Sequence, residues 1–263
     1  MRYKIKLSYD GSAFCGWQIQ PSDPSVQESL EKALSSLLGS RIAVTGAGRT
    51  DSKVNAIGYI AHFDAPEGLD TAQICYKLNA ILPSSIAVSD LSEAPEEFHA
   101  RFDARRREYS YFLHKTKDPF AASFSWQCGY PLDFELMNRA AALLAGTHDF
   151  RCFEKVGTDT KTSICTVFEA GWHRYTPSHV SIMDAPAGEY WYFRIAADRF
   201  LRNMVRAVVG SLIEVGRGKR SLEEFASLIL PEGTPVASSG LAARCRAGES
   251  VPGHALFLSK VEY

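Results

Sequence analysis

Arg49 and Asp51 stand two residues apart on a short loop, Gly46-Ala47-Gly48-Arg49-Thr50-Asp51. Small residues let the backbone turn sharply and let another molecule approach closely. An Asp held there beside an Arg is a candidate catalytic carboxylate. The same residue types also allow plainer roles: Asp51 could cap a turn through its own side chain, or pair with Arg49. The stretch imitates part of a dinucleotide fingerprint but lacks the third Gly and opens no clear helix. Two further sets could meet an anionic, aromatic substrate. Arg199, Arg202 and Arg206 fall within an arc of roughly 60° on a helix at ~100° per residue. Phe200, Leu201, Met204, Val205, Val208, Leu212 and Val215 cover the other side. Such a face could equally be a solvated surface. Tyr109 and Tyr111 share one face of a strand, the usual pattern of a core, yet Arg105, Arg106 and Arg107 lead directly into them.

The elements around these residues follow from periodicity. Tyr3, Ile5, Leu7 and Tyr9 alternate with Lys4, Lys6 and Ser8, as on a half-buried strand. Ser25 to Leu38 has Val26, Leu30, Ala33, Leu34 and Leu37 at helical spacing. Arg41 to Thr45 and Gly58 to Phe63 read as strands on either side of the Asp51 loop. Thr71 to Leu82 is a helix stopped by Pro83, and Ile86 to Leu91 a strand. The second half opens with a strand near Arg105 to His114, then a loop to Trp126 and a helix from Phe134 to Ala145 closed by Gly146. Ser163 to Trp172, Val180 to Met183 and Tyr190 to Ala196 read as strands. Phe200 to Val215 and Leu222 to Leu230 read as helices, Pro231 to Pro252 as a loop, and Ala255 to Tyr263 as the last strand. Strands and helices mix in similar order in each half. That predicts two α+β halves, 1–104 and 105–263, rather than a doubly wound parallel sheet.

Composition bounds the rest. The 263 residues are 46% hydrophobic and 22% charged, the balance of a globular protein with a sizeable core. No apolar run approaches a membrane span, and Tyr3 to Tyr9 alternates rather than forming a leader core, so a cytoplasmic location is expected. Six cysteines form no Cys-x-x-Cys pair and have no His at metal-ligand spacing, so reduced, mostly buried thiols and no metal are expected. Net charge is −1, but basic residues cluster at Arg101 to Arg107, at Arg199 to Arg206 and at Arg217, Lys219 and Arg220. Local basic surface on a neutral chain suits a polyanion better than the global charge suggests.

The Gly-Arg-Thr-Asp loop, preceded by Gly-Ala, resembles the active-site loop of the tRNA pseudouridine synthase A family. So, in collinear order, do Tyr9-Asp10-Gly11, Phe14-Cys15-Gly16-Trp17-Gln18 and Val26-Gln27 before it. Leu78-Asn79-Ala80-Ile81-Leu82-Pro83, Phe98-His99-Ala100-Arg101-Phe102 and Gly146-Thr147-His148-Asp149-Phe150 follow. Phe200 to Arg206 and the end, Leu256-Phe257-Leu258 through Val261-Glu262-Tyr263, complete the match. The resemblance covers essentially the whole chain. It implies two similar halves of ferredoxin-like, RRM-like kind whose antiparallel sheets join around a central basic cleft. It implies Asp51 as the catalytic residue and Tyr109 as the platform for the target base. Arg206 matches the family's active-site arginine; Arg49 and Arg202 are expected on the RNA, with Arg202 alternatively on a second subunit. The implied partners are tRNA and a second copy of the chain, with no cofactor. The implied reaction turns uridine into pseudouridine in the anticodon stem-loop, at roughly positions 38 to 40. The chain departs from the usual Arg-Thr-Asp-Ala-Gly-Val-His-Ala at Ser52, Lys53 and Asn55, and has Ala255 where Gly is usual. The alternative implied by those departures is a non-catalytic RNA-binding relative. A small-molecule glycosidase would need a second carboxylate, and none stands out near Asp51.

Overall fold

A computed structural model describes residues 1–155, 157, 161–183, 188–234 and 246–263. The fold is α+β and divides into two compact units, Met1–Arg107 with Phe257–Tyr263, and Glu108–Leu256. The boundary therefore lies a few residues beyond the expected 104/105 split, and the last strand counts with the first unit.

The first unit runs β1 (Arg2–Tyr9), α1 (Val26–Leu38), β2 (Val44–Gly46), β3 (Asn55–Asp64), α2 (Thr71–Ile81) and β4 (Ile86–Ala94). The alternation of β1 is realised, with Tyr3, Ile5, Leu7 and Tyr9 buried and Lys6 exposed. β1 pairs antiparallel with β3 (Leu7 opposite Tyr59) and with β4 (Ile5 opposite Leu91). β2 lies antiparallel on the far side of β3, Val44 opposite Phe63. The order β4-β1-β3-β2 is the ferredoxin-like order. The helices start where their caps say. The Ser25 hydroxyl accepts from the Glu28 N–H and the Asp70 carboxylate from the Gln73 N–H. Gly39 ends α1 at φ 68. Leu30, Leu34 and Leu78 are fully buried. Each such side chain contributes ~1.5–3 kcal/mol.

The second unit runs β5 (Arg106–His114, its first two residues still in the first unit), β6 (Trp126–Gln127), α3 (Phe134–Ala142), β7 (Gly146–Asp149), β8 (Ile164–Tyr175), α4 (Ser178–Met183), β9 (Tyr190–Ala197), α5 (Met204–Gly216) and α6 (Leu222–Ala226). Its strands lie in the order β5-β9-β8-β7, with β6 parallel to β5. β10 (Leu256–Glu262) closes the chain, running parallel to the start of β3, Phe257 opposite Asn55. One edge of β3 is thus shared: β2 takes its end and β10 its beginning.

Three element assignments change. Val180–Met183 is helical, part of α4; a four-residue apolar run does not distinguish strand from helix by period. Gly146 opens β7 at φ 109, and the helix before it already ends at Ala142. α5 begins at Met204, not Phe200, because Asn203 sits at φ 66 and breaks the right-handed run. α5 is also buried nearly all round, so it is a core helix rather than an amphipathic one. Of the segment read as the Pro231–Pro252 loop, residues 235–245 lie outside the described residues.

Candidate active site

The loop 47–54 connects β2 to β3 and is held from beneath at almost every residue. The Ala47 N–H donates to the Ile60 carbonyl at 2.8 Å. The Tyr59 hydroxyl donates to the Gly48 carbonyl and receives the Gly48 N–H at 3.3 Å. Tyr59 stacks on Trp17 with centroids 4.2 Å apart, and Tyr9 completes the cluster at 5.7 Å from Tyr59. Tyr9 and Thr50 share a buried hydroxyl–hydroxyl bond of 2.9 Å. Trp17 N–H donates to the Thr50 carbonyl at 3.3 Å. Phe14 and Trp17 are buried, as expected of a scaffold rather than an RNA contact. A Cβ on Gly16, whose φ is 98, would collide with the Thr50 carbonyl oxygen, so only glycine lets the two loops touch here.

The second half of the loop is equally tied. Lys53 N–H donates to the Phe14 carbonyl at 3.2 Å, and Val54 N–H closes a turn onto the Asp51 carbonyl at 3.1 Å. Lys53 adopts φ 63, the left-handed conformation that glycine takes freely. Asn55 is buried and its Oδ1 accepts the Gly11 N–H at 2.8 Å. Two of the four departures from the pattern thus have defined places: Lys53 takes the turn, and Asn55 serves as a fixed acceptor. From above, the Arg107 guanidinium donates to the Ala47 carbonyl through Nη2 at 3.0 Å and Nε at 3.4 Å. On this frame Thr50 is buried, Asp51 half-buried and Arg49 exposed.

The remaining candidates belong to the second unit. Tyr109 is half-buried and meets Phe200 edge-on, centroids 5.1 Å apart at 88°. Tyr111, which shares its strand face, is 0% exposed and is core, with burial pushing its phenol well above the ordinary range. Arg206, at the start of α5, donates from Nε to the Val251 carbonyl at 2.7 Å, and its own carbonyl accepts the Val251 N–H at 3.3 Å. Arg202 is exposed, on the turn before α5, with its carbonyl accepting from Lys155 N–H at 3.0 Å. The three-arginine helix face is thus corrected: Arg199 and Arg202 precede the helix and only Arg206 lies on it.

Arg107, Tyr59 and Tyr9 frame the loop, and the sequence patterns do not point to them in that role. Arg107 stood in the basic cluster, but nothing local marked it as a clamp rather than a surface charge. Among the described residues no group of three or more His, Cys, Asp and Glu could hold a metal ion. No described helix is long and apolar enough to cross a membrane. Cys128, Cys152 and Cys165 are buried free thiols, and burial pushes Cys165 up to about 12.

Comparison with known proteins covers most of the chain. A family model described as tRNA pseudouridine synthase matches residues 6–103 and 140–263. The tRNA pseudouridine synthase A of Bacteroides fragilis is 45% identical, covering 100% of this chain and 96% of the relative. That of Bacteroides thetaiotaomicron is also 45% identical, over 100% of this chain and 90% of the relative. The Bacillus licheniformis protein of the same name is 38% identical, over 100% and 99%.

Proposed function

The chain belongs to the tRNA pseudouridine synthase family, and from that premise we propose that it isomerises uridine to pseudouridine in tRNA with Asp51 as its catalytic carboxylate. The target is a uridine of the anticodon stem-loop, at roughly positions 38 to 40, reached by shape and phosphate contacts. The observation that carries the assignment of Asp51 is its loop. Backbone, hydroxyl and guanidinium contacts fix most of the loop 47–55, and Asp51 is left half-buried on it. A preorganised carboxylate at a surface is what such chemistry requires.

In the reaction the bond from N1 to the ribose C1′ breaks and one from C5 to C1′ forms. C5 gives up its proton and N1 gains one. Product and substrate are isomers, so no oxidant, reductant or second substrate enters the balance. An ionised Asp51 can serve as nucleophile or as base. A base inside a stem cannot reach it without leaving the stack. Tyr109 is proposed to stack on the extruded base, since stacking needs no particular hydrogen-bond pattern. Arg49, Arg202 and Arg206 are proposed to hold phosphates or the opened strand, a role for which the planar guanidinium is suited. The protein is proposed to act in the cytoplasm as a homodimer.

The test is pseudouridine mapping on a full tRNA transcript with wild type and Asp51→Asn side by side. Conversion of anticodon-stem uridines by wild type and a loss of turnover on the order of 10³-fold in the variant are expected. A variant that turns over like wild type would remove Asp51 from the chemistry; a wild type that leaves every uridine unchanged would remove the activity itself.

A further inference from the structure

The segment Phe98–Asp103 of the first unit is held at nearly every backbone group. The Phe98 carbonyl accepts from Arg2 Nη1 at 2.9 Å. The Ala100 N–H donates to His62 Nδ1 at 3.1 Å, and the Ala100 carbonyl accepts from the Tyr263 hydroxyl at 2.8 Å. His99 N–H donates to the Asp103 carboxylate at 2.8 Å, while His99 Nδ1 receives the Arg101 and Phe102 N–H groups at 3.2 and 3.3 Å. The Arg101 carbonyl accepts from Arg107 Nη2 at 2.6 Å.

This rigid segment presents an aromatic ring to solvent. Phe102 is 73% exposed. Its ring rests against His99, centroids 4.2 Å apart at 32°, and the Arg101 guanidinium lies 5.6 Å from its centroid. Burial cannot be what fixes so exposed a ring. Its exposed sequence neighbours, Arg101, Asp103 and Arg105, are charged, so two cations stand near the ring along the chain. A flat nucleobase with a phosphate beside it needs one ring and one cation.

We propose that Phe102, backed by His99 and flanked by Arg101, is a stacking platform for an unpaired base of the RNA substrate, separate from the nucleotide being isomerised. This rests on the reading that the substrate is RNA. The platform is mechanically linked to the Asp51 loop. One guanidinium nitrogen, Arg107 Nη2, bonds both the Arg101 carbonyl and the Ala47 carbonyl. A base docked on Phe102 would therefore set the distance from that nucleotide to the loop.

The experiment compares wild type, Phe102→Ala and Phe102→Trp. It measures binding of a full tRNA transcript, pseudouridine kinetics, thermal unfolding and sedimentation velocity. Phe102→Ala is expected to weaken tRNA binding about tenfold. KM should rise in parallel, with the loss falling on KM rather than kcat, and Tm should hold because the ring is exposed. Phe102→Trp should restore binding. Unchanged affinity in Phe102→Ala overturns the platform. So does a change of oligomeric state in that variant with affinity per assembled molecule intact, since the ring would then face a second copy. If wild type binds tRNA but forms no pseudouridine, the proposed activity falls while the binding comparison still decides the platform. If wild type does not bind tRNA at all, both fall.

Discussion

Lys53 is a lysine in a conformation suited to glycine. A left-handed backbone costs an L-residue ~1–2 kcal/mol, and Lys53 holds φ 63 two residues after Asp51. The strain persists because its N–H is taken by the Phe14 carbonyl and the next N–H closes onto Asp51. Lys53→Gly should therefore stabilise the protein by ~0.5 kcal/mol, the relief of strain exceeding glycine's greater loss of chain entropy. Lys53→Val should lower stability by more than ~1 kcal/mol, since a β-branched residue tolerates this region least. Urea unfolding of the three proteins checks both. Should Val be as stable as Lys, the turn does not have the conformation described. Turnover should follow the turn: retained in the Gly variant and reduced in the Val variant, because the same backbone carries Asp51.

At the scale of elements, the β2–β3 connection works as a plate bolted from below by Tyr59, Tyr9 and Gly16 and from above by Arg107. Arg107→Met keeps much of the side chain's length but strips donors from the Ala47, Arg101 and Ala104 carbonyls. Each acceptor left unsatisfied costs ~1–3 kcal/mol if buried. A loss of ~2 kcal/mol is expected, with about tenfold lower kcat. Arg107→Lys should recover less than half, because one ammonium lacks the fork that reaches three carbonyls. Full recovery by Lys would show that charge, not geometry, is what the position supplies. A second element-scale test lies at α5. Asn203→Ala removes both the tolerance for φ 66 and the 2.6 Å bond from Nδ2 to Ser250 Oγ, and should lower stability by ~1–2 kcal/mol. Asn203→Gly, which loses only the bond, should lose less. These features also mark where the sequence stopped being legible. β1, α1 and α2 follow from local period and caps almost to the residue. The start of α5 was missed because a left-handed Asn leaves no trace in hydrophobic spacing. The frame of the Asp51 loop joins residues 41 apart at Tyr9 and Thr50 and 60 apart at Arg107 and Ala47. No local pattern encodes such pairs. Arg49 and Asp51 themselves were singled out by their likeness to a family, since a Gly-rich loop with one Asp is otherwise an ordinary turn.

Across the whole molecule, the two units carry different acid-sensitive groups. In the first, His62 is only 5% exposed. Its Nδ1 is committed as an acceptor to the Ala100 N–H. Burial, with Arg2 and His99 nearby, holds its pKa at about 4 against an ordinary 6.5. As pH falls, the unfolded chain takes up this proton before the folded one does. Stability from His62 is therefore complete above about pH 6.5 and is lost as pH falls towards 4, by on the order of 3 kcal/mol. In the second unit, burial alone would raise Asp118. The Tyr190 hydroxyl and His179 Nε2, each at 2.7 Å, and the Phe120 N–H outweigh it and hold the carboxyl at about 2 against 3.8. That contribution is intact above about 3.8 and disappears only as pH falls from there to 2. Acid should therefore weaken both units below about pH 6.5, the first through His62 and the second through His114, whose buried imidazole is likewise held below its ordinary value. Urea titrations at pH 7, 5.5 and 4.5 should show a falling midpoint. His62→Gln, which keeps an acceptor for Ala100 but does not titrate, should flatten that fall. Hydrogen exchange at pH 4.5 should report a loss of protection in β1 and β3 that the Gln variant reduces. An equal slope in the Gln variant would acquit His62.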